Sequence, residues 1–569
     1  MYLVLIETSG NQNYIFSTNK LKENIGASEL TYLAGTKWVL EAVEKTSKSN
    51  KCLSLFKNGN QLRDTLLDAD LNPCIDTNNN VEVVVATSGK ALLLTKDKKI
   101  AQQIIQYVTH KALVEAPGLD ICGVIHEFEW EQDNLGEINK KIHQKFATVR
   151  SKRPAPDLRF LRLPMVEECS TSGLPAAEID YSEKTPVVRS VVSLSKRNYN
   201  EQGLKRIREL IKKENDHLNF PKSIRQLIDY SESENEGKWL SVIHADGNGL
   251  GEIFLNFEDH INNENKSCAE ANRNYVDKLR RFSIALDICT EEAFNTAIET
   301  FASSEQKLIT VIPLVLGGDD LTVVCDGKNA IRFTQVFLQS FEEATAKNTV
   351  ISEIAAKALK VPRLSACAGI AIIKSKFPFS VAYELSEALM QSAKNVKKQI
   401  KHPDTQKPYP CSAFDFHVLY DSSNVDFQSI RSKLEAKNHK LHNRPYVVTD
   451  ETKLHEATNL EWAKFHHLSK LEEKIKVLVA KDDNKRKLPN SQIHDLRAGL
   501  FLSQSIAKAR YILVRDRYRE QGIVTLAGSE ESLFQTEPDS GICITGLLDA
   551  IDAAEFLNVE DKNNEQKSK

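Results

Sequence analysis

The sequence predicts an α+β chain built on a duplicated strand–helix unit, with a connector between the copies and a helical region after them. Three observations carry that reading. Strand and helix patterns run in one order through residues 1–150 and return in that order through 236–425, with a hairpin at the same place. The stretch between breaks the pattern. Beyond 450, apolar residues recur at helical spacing over long runs. The expected division is a first unit over 1–150, a connector over 151–235, a second unit over 236–425 and a mainly helical region over 426–569.

Residues 2–7 are apolar from Tyr2 to Ile6 and then polar. That is a buried strand rather than a secretion signal, which needs a basic start and a longer apolar run. Residues 13–16 and 28–43 have helical spacing. Residues 81–86 and 91–94 flank Thr87-Ser88-Gly89-Lys90, a hairpin. An amphipathic helix over 100–114 and a strand over 121–128 complete the unit. In the connector, which is expected to have little core of its own, residues 150–157 carry two prolines and several basic residues, 170–175 form a loop, and 204–215 a charged helix.

The second unit opens with a strand over 239–245 and a long helix over 272–301. Strands over 308–316 and 321–325 flank Gly317-Gly318-Asp319-Asp320. A helix over 330–345, a strand over 364–373 and a helix over 381–398 follow, with 413–420 as an edge strand. Helices over 454–479 and 491–520 are separated by a charged loop, 481–490, and residues 560–569 are a solvated tail.

With 75 Lys and Arg against 78 Asp and Glu, the net charge is -3, which argues against holding nucleic acid by bulk charge. Charged residues at 27% and hydrophobic residues at 41% exclude wholesale disorder. No run approaches the ~18 apolar residues of a membrane helix. The ten cysteines form no C-x-x-C pair, so neither a disulfide framework nor a cysteine zinc site is expected, and the expected compartment is the cytoplasm.

The sharpest motif is LVLGGDDLTVV at 314–324: two apolar runs around a turn bearing two carboxylates. Two negative charges on one turn are unfavourable without a cation, and Mg²⁺ or Mn²⁺, hard ions that take oxygen ligands, suit them. The second motif is WLSVIHADGNGLGEIF at 239–254. Its strand carries Asp246 to its tip, Gly247-Asn248-Gly249 turns the chain, and the backbone from there to Leu250 can face a phosphate. Asp246, Asp319 and Asp320 can then meet across adjacent strands as metal ligands for phosphoryl transfer, with Gly317 and Gly318 allowing close backbone approach. His244 is expected to be a packed strand histidine. The helix that follows LSACAGIAII ends in basic residues, of which Lys394, then Lys397, can reach a phosphate tail.

These residues resemble a family. A strand ending in Asp-x-Asn-x-Leu-Gly, a GGDD hairpin, the strand Ser365-Ala366-Cys367-Ala368-Gly369-Ile370-Ala371 and the following Ala393-Lys394 are similar to the catalytic palm of the CRISPR polymerases. Those are the large subunits of type III CRISPR effector complexes, and their palm is similar to that of nucleotide cyclases. IETSGNQNYIFSTNKLKENIGASEL at 6–30 resembles the family's first palm, whose hairpin here, Thr87-Ser88-Gly89-Lys90, has no acids. DFH at 415–417 and RPY at 444–446 also fit, and the resemblance covers residues 1–450. It implies two ferredoxin-like, nucleotide-cyclase-type palms, the first degenerate and the second active. It further implies synthesis of a cyclic oligonucleotide second messenger from ATP or other nucleoside triphosphates, in antiviral defence. Asp246, Asp319 and Asp320 would hold metal and donor triphosphate; Ser9, Gly10 and Asn11 would lie near the acceptor. CRISPR effector subunits and guide or target RNA are the implied partners, and no membrane.

Two features depart from the family. The chain starts at the first palm strand, so a histidine–aspartate nuclease domain is expected to be absent, and His494-Asp495 reads as a surface dipeptide. Cys169 stands alone where many members carry cysteine pairs, which puts a zinc site in doubt. A diguanylate cyclase is the rival enzyme, but Leu321 follows the acids where those enzymes have Phe, and 308–316 lacks their Arg-x-x-Asp. The non-enzymatic rival is a scaffold subunit of a guide-RNA complex, using the basic stretches 140–153 and 205–213; these read more simply as solvated faces.

Overall fold

The computed structural model describes residues 1–47, 53–76, 79–182, 185–210, 220–221, 226–227, 239–301, 309–420, 426–482 and 485–558. The expected tail at 560–569, and the part of the basic stretch 205–213 beyond 210, lie outside the described residues.

The first sheet has four strands, β1 (Tyr2–Ser9), β2 (Val81–Thr87), β3 (Lys90–Thr95) and β4 (Asp120–Glu127), in the spatial order β2-β3-β1-β4. All pairings are antiparallel. The apolar run Leu3 to Ile6 forms the central strand because both faces are covered, and none of its side chains is more than 1% exposed. The expected helix over 28–43 is two helices, Leu21–Gly35 and Lys37–Ser47, because the chain breaks at Thr36, whose hydroxyl bonds back to the Tyr32 carbonyl at 2.6 Å.

A hairpin of two short strands, β5 (Glu178–Asp180) and β6 (Val187–Arg189), lies in the connector. Two connector helices, Val191–Asn198 and Asn200–Glu209, pack on the Leu21–Gly35 helix. The connector therefore shares the first unit's core rather than standing bare.

The second sheet carries β7 (Trp239–Gly247), β8 (Val311–Gly317), β9 (Asp320–Asp326), β10 (Ala366–Lys374) and β11 (Ala413–Val418). Its order is β8-β9-β7-β10-β11, with the two-residue strand Tyr446–Val447 beyond. β11 pairs parallel with β10 and antiparallel with Tyr446–Val447, so it is internal to the sheet and not the expected edge. A helix the sequence reading passed over, Thr349–Leu359, begins where the Asn348 side chain accepts from the Val350 and Ile351 backbone N–H groups.

The first four strands of the two sheets have the same order, and the agreement extends to detail. Each hairpin has a register break at the same distance from its turn, between Val83 and Val85 and between Pro313 and Val315. Glu7 pairs with Cys122 on one side and Lys90 on the other. Asp246 pairs with Cys367, and since Ala245 pairs with Leu321, Asp246 comes opposite Asp320. The two copies thus place Glu7 where the other has Asp246, and Lys90 where the other has Asp320.

The helix Cys268–Ile298 joins the copies. A Ser267–Glu270 capping box starts it. Arg273 and Arg280 then reach Glu82 on β2, which is fully buried. Asn272 bonds the Trp130 and Asp133 carbonyls at 2.9 Å each. The C-terminal region packs the helices Leu460–Phe465, Leu468–Val479, Asn490–Leu500 and Gln504–Tyr518 with a small four-stranded sheet. His494 is exposed and Asp495 pairs with Arg510 at 2.7 Å, as a surface dipeptide would. No helix among the described residues is long and apolar enough to cross a membrane.

Candidate active site

The GGDD segment closes β8 onto β9 through a two-residue turn. Gly317 pairs with Asp320, leaving Gly318 and Asp319 at the tip. Gly318 has φ +62°, in the left-handed region that glycine adopts without cost. The Cys268–Ile298 helix grips this residue from both sides: Gly318 N–H donates to Asp287 Oδ1, and Thr290 Oγ1 donates to the Gly318 carbonyl at 2.6 Å. On the neighbouring strand, Gly247 leaves room for Asp319. A Cβ at Gly247 would stand 2.8 Å from Asp319 Oδ2 and 2.9 Å from Asp319 Cβ.

These residues open onto a cavity of about 780 Å³ between the two sheets. Asp246, Asp319 and Asp320 line it, with Gly247, Gly249, Leu250, Gly317, Gly318, Lys394 and Lys397. The opposite wall comes from the first copy: Glu7, Thr8, Asn11, Ser88, Gly89, Lys90, Asn139 and His143. The two hairpin turns approach each other there, since a Cβ on Gly317 would lie 3.8 Å from Ser88 Cβ.

The other expected residues fall elsewhere. Asn248 points into the protein, where its amide donates to Ser365 Oγ at 3.0 Å and to the Cys411 carbonyl at 3.1 Å. Ser9 is buried in β1, paired with Asp120, and Gly10 starts the Asn11–Phe16 helix; of these three neighbours only Asn11 lines the cavity. His244 is packed as expected, 3% exposed, with Nδ1 3.0 Å from Thr322 Oγ1, and burial pushes it down to about 4. Cys169 is buried and its thiol lies 3.3 Å from Thr171 Oγ1.

The electrostatics of the cleft favour a cation. Asp320 keeps some access to the cavity, yet burial, then Asp319 and Glu387, push its carboxyl up to about 8. Burial also raises Asp319, against hydrogen bonds from its own backbone and that of Gly247. Lys394 sits directly on Asp246 through Nζ and Oδ2, and burial, with Lys397 nearby, pushes it down to about 8. Among the described residues no group of three or more His, Cys, Asp or Glu is gathered as a metal site. The donor set still suits a hard divalent ion. Two adjacent carboxyls are costly to ionise together, and an ammonium group already acts as counter-charge to the third.

Sequence reasoning missed the grip on the turn. Asp287 and Thr290 lie one helical turn apart, a spacing with no signature of its own. It also missed Glu387 on the Phe379–Ala393 helix, whose charge helps to raise Asp320.

Residues 239–401 match the family described as Cas10/Cmr2, second palm domain. That stretch is similar to a Cas10/Cmr2 second palm. It holds β7 to β10, the GGDD turn, Lys394 and Lys397. Solved structures are similar over most of the chain at low identity. They include a chain of the type III-B Cmr-β complex in its apo state, at 11% identity and TM-score 0.47, covering 97% of this chain and 81% of that one. They also include Csm1 of T. onnurineus, at 12% identity and TM-score 0.46, covering 98% and 70%. A third comes from a Csm1–Csm4 cassette in complex with cA4, at 11% identity and TM-score 0.41 over 93% of this chain. The chain spans 64% of the length of that last relative. No curated protein matches the chain.

Proposed function

We propose that this chain is a metal-dependent nucleotidyltransferase that joins ATP, or other nucleoside triphosphates, into a cyclic oligonucleotide second messenger. The observation that carries the reading is one cleft lined by Asp246, Asp319, Asp320 and Lys394, faced by a second copy of the same fold. In this reading residues 1–150 are a degenerate first palm, 151–235 a connector, 236–425 the active palm and 426–569 a helical region for clamping or partner contact.

Asp246, Asp319 and Asp320 would hold Mg²⁺ or Mn²⁺, which when bound lowers the pKa of an attacking hydroxyl and offsets charge on departing pyrophosphate. Lys394 would leave Asp246 for the triphosphate of the bound nucleotide, with Lys397 beside it in the cavity. The Gly318 turn, gripped by Asp287 and Thr290, keeps Asp319 aimed before substrate arrives. The first copy presents the acceptor, whose 3′-hydroxyl attacks the donor's α-phosphate; repetition and closure give a ring. Antiviral defence in the cytoplasm, with CRISPR effector subunits and guide or target RNA as partners, is the setting that the motifs support.

The test incubates the pure protein with each nucleoside triphosphate, and all four together, with Mg²⁺ or Mn²⁺. Products are read by mass spectrometry beside the Asp319→Ala, Asp320→Ala double variant. A cyclic adenylate made by the wild type alone is the expected result. A cyclic di-guanylate would move the reading to a diguanylate cyclase. No product, together with no nucleotide or metal binding by calorimetry, would sink catalysis and leave a scaffold.

A further inference from the structure

We infer that the first copy's wall of the cleft holds a phosphate group of a second nucleotide without a divalent ion, on a cation built into the chain, Lys90. The inference rests on the proposed reaction for the identity of the ligand, a nucleoside triphosphate, but not for its test.

The argument starts from register. Lys90 holds the place of Asp320, and Glu7 the place of Asp246. Where the second copy sets two acids across from each other, the first sets an acid against an ammonium group. Lys90 Nζ lies 3.4 Å from Glu7 Oε2. One carboxylate, already paired, is a poor ligand set for Mg²⁺, which demands near-octahedral oxygen.

Lys90 is also held in place. His143 Nδ1 lies 2.8 Å from the Asn139 carbonyl oxygen, which can only accept, so Nδ1 carries the ring proton. Nε2 is then a lone pair, and it accepts from Lys90 Nζ at 3.1 Å. An ammonium group has three donors. His143 engages one and Glu7 lies within ion-pair distance, and Lys90 lines the cavity, where a remaining donor is available to an anion. The same wall carries Asn11 and Asn139, whose Oδ1 atoms are buried without a hydrogen-bond partner among the described residues.

The experiment is calorimetry on the full chain with ATP in excess EDTA, repeated with GTP, where no metal-dependent turnover can occur. The expected result is one equivalent bound for at least one nucleotide, weakened about tenfold or more in Lys90→Met and held within about threefold in Lys90→Arg. The Asp319→Ala, Asp320→Ala variant should bind that equivalent as the wild type does. Inorganic tripolyphosphate should displace it from the wild type, an arm that needs no variant to fold. Absence of binding in EDTA, binding indifferent to Lys90→Met or to tripolyphosphate, or binding lost with the two acids would each overturn the inference. A wild type that makes a cyclic product but binds nothing in EDTA overturns this inference alone. One that binds an equivalent in EDTA but makes no product and binds no Mg²⁺ or Mn²⁺ leaves it standing and removes the proposed reaction.

Discussion

Phe16 and Tyr383 stack face to face, with 4.3 Å between ring centroids and 8° between planes. One ring belongs to the first copy of the fold. The other lies on the Phe379–Ala393 helix, which leads to Lys394 and whose first N–H donates to Asn19 at 2.7 Å. Tyr383 packs as an aromatic plate, because its hydroxyl is buried without a hydrogen-bond partner among the described residues. Tyr383→Phe should therefore leave stability unchanged or raise it by up to about 1 kcal/mol, while Phe16→Ala should lower it by about 3 kcal/mol. Urea denaturation reads both. A loss of more than about 1 kcal/mol in Tyr383→Phe would show that the hydroxyl is bonded after all.

Glu82 is the pin between the copies. Its carboxylate is fully buried and faces Arg273 at 2.8 Å and Arg280 more closely still; burial works to raise it, and the two guanidinium groups hold it below the usual carboxylate range. Glu82→Gln leaves Arg273 and Arg280 only the more exposed Asp76, at 3.1 Å from Arg273, and Asp277, at 3.4 and 3.6 Å, and should cost about 3 kcal/mol. Because the joint sets the cleft, product formation should fall with it, and limited proteolysis should report looser packing of the halves. Wild-type stability in this variant would mean that Asp76 and Asp277 suffice for the arginines.

Gly247 tests the site without touching a charge. An added Cβ would press on the Asp319 side chain at 2.8–2.9 Å and on Leu250 Cδ1 at 2.3 Å. Gly247→Ala should cost about 1–3 kcal/mol of stability and reduce product formation at least about tenfold, since Asp319 must move. Equal turnover in the folded variant would show that Asp319 need not sit where it does.

Acid stability should track Glu537. Burial would raise this carboxyl, but hydrogen bonds from His466 and Ser540 outweigh it and hold it at about 2. His466 Nε2 is 2.8 Å away and Trp462 Nε1 is 3.2 Å away. A depressed carboxyl contributes stability that is complete above its unfolded pKa and is lost as pH falls toward the folded one. Glu537→Gln should thus be less stable by about 2 kcal/mol near neutrality, with the gap closing between about pH 4.5 and pH 2. Thermal melts over that range check it, and a gap that persists at the acid end would reject the assignment.

Much of this was legible beforehand because it is local. Alternating apolar runs gave β7, β8 and β9, and the repeated order of elements gave the duplication, since strand and helix periods are written in neighbouring residues. The acids of the GGDD turn and Asp246 were visible for the same reason. What escaped depends on partners far along the chain. Glu82 alone on a strand looks like a solvated residue until Arg273 and Arg280 arrive from 191 and 198 residues away. Asn248 in a glycine-rich turn looks like a ligand, yet Ser365 and Cys411 draw it inward. The Lys90–Glu7 pair became meaningful only once the two sheets could be laid register on register.

The facing hairpin turns of Ser88 and Gly317 carry one more consequence. A cleft assembled from two separate molecules empties as the solution is diluted, and its output falls with the square of concentration. Here both walls are on one covalent thread, so each wall sees the other at a fixed effective concentration however rare the molecule is. Product formed per molecule in the proposed reaction should stay level as the protein is diluted.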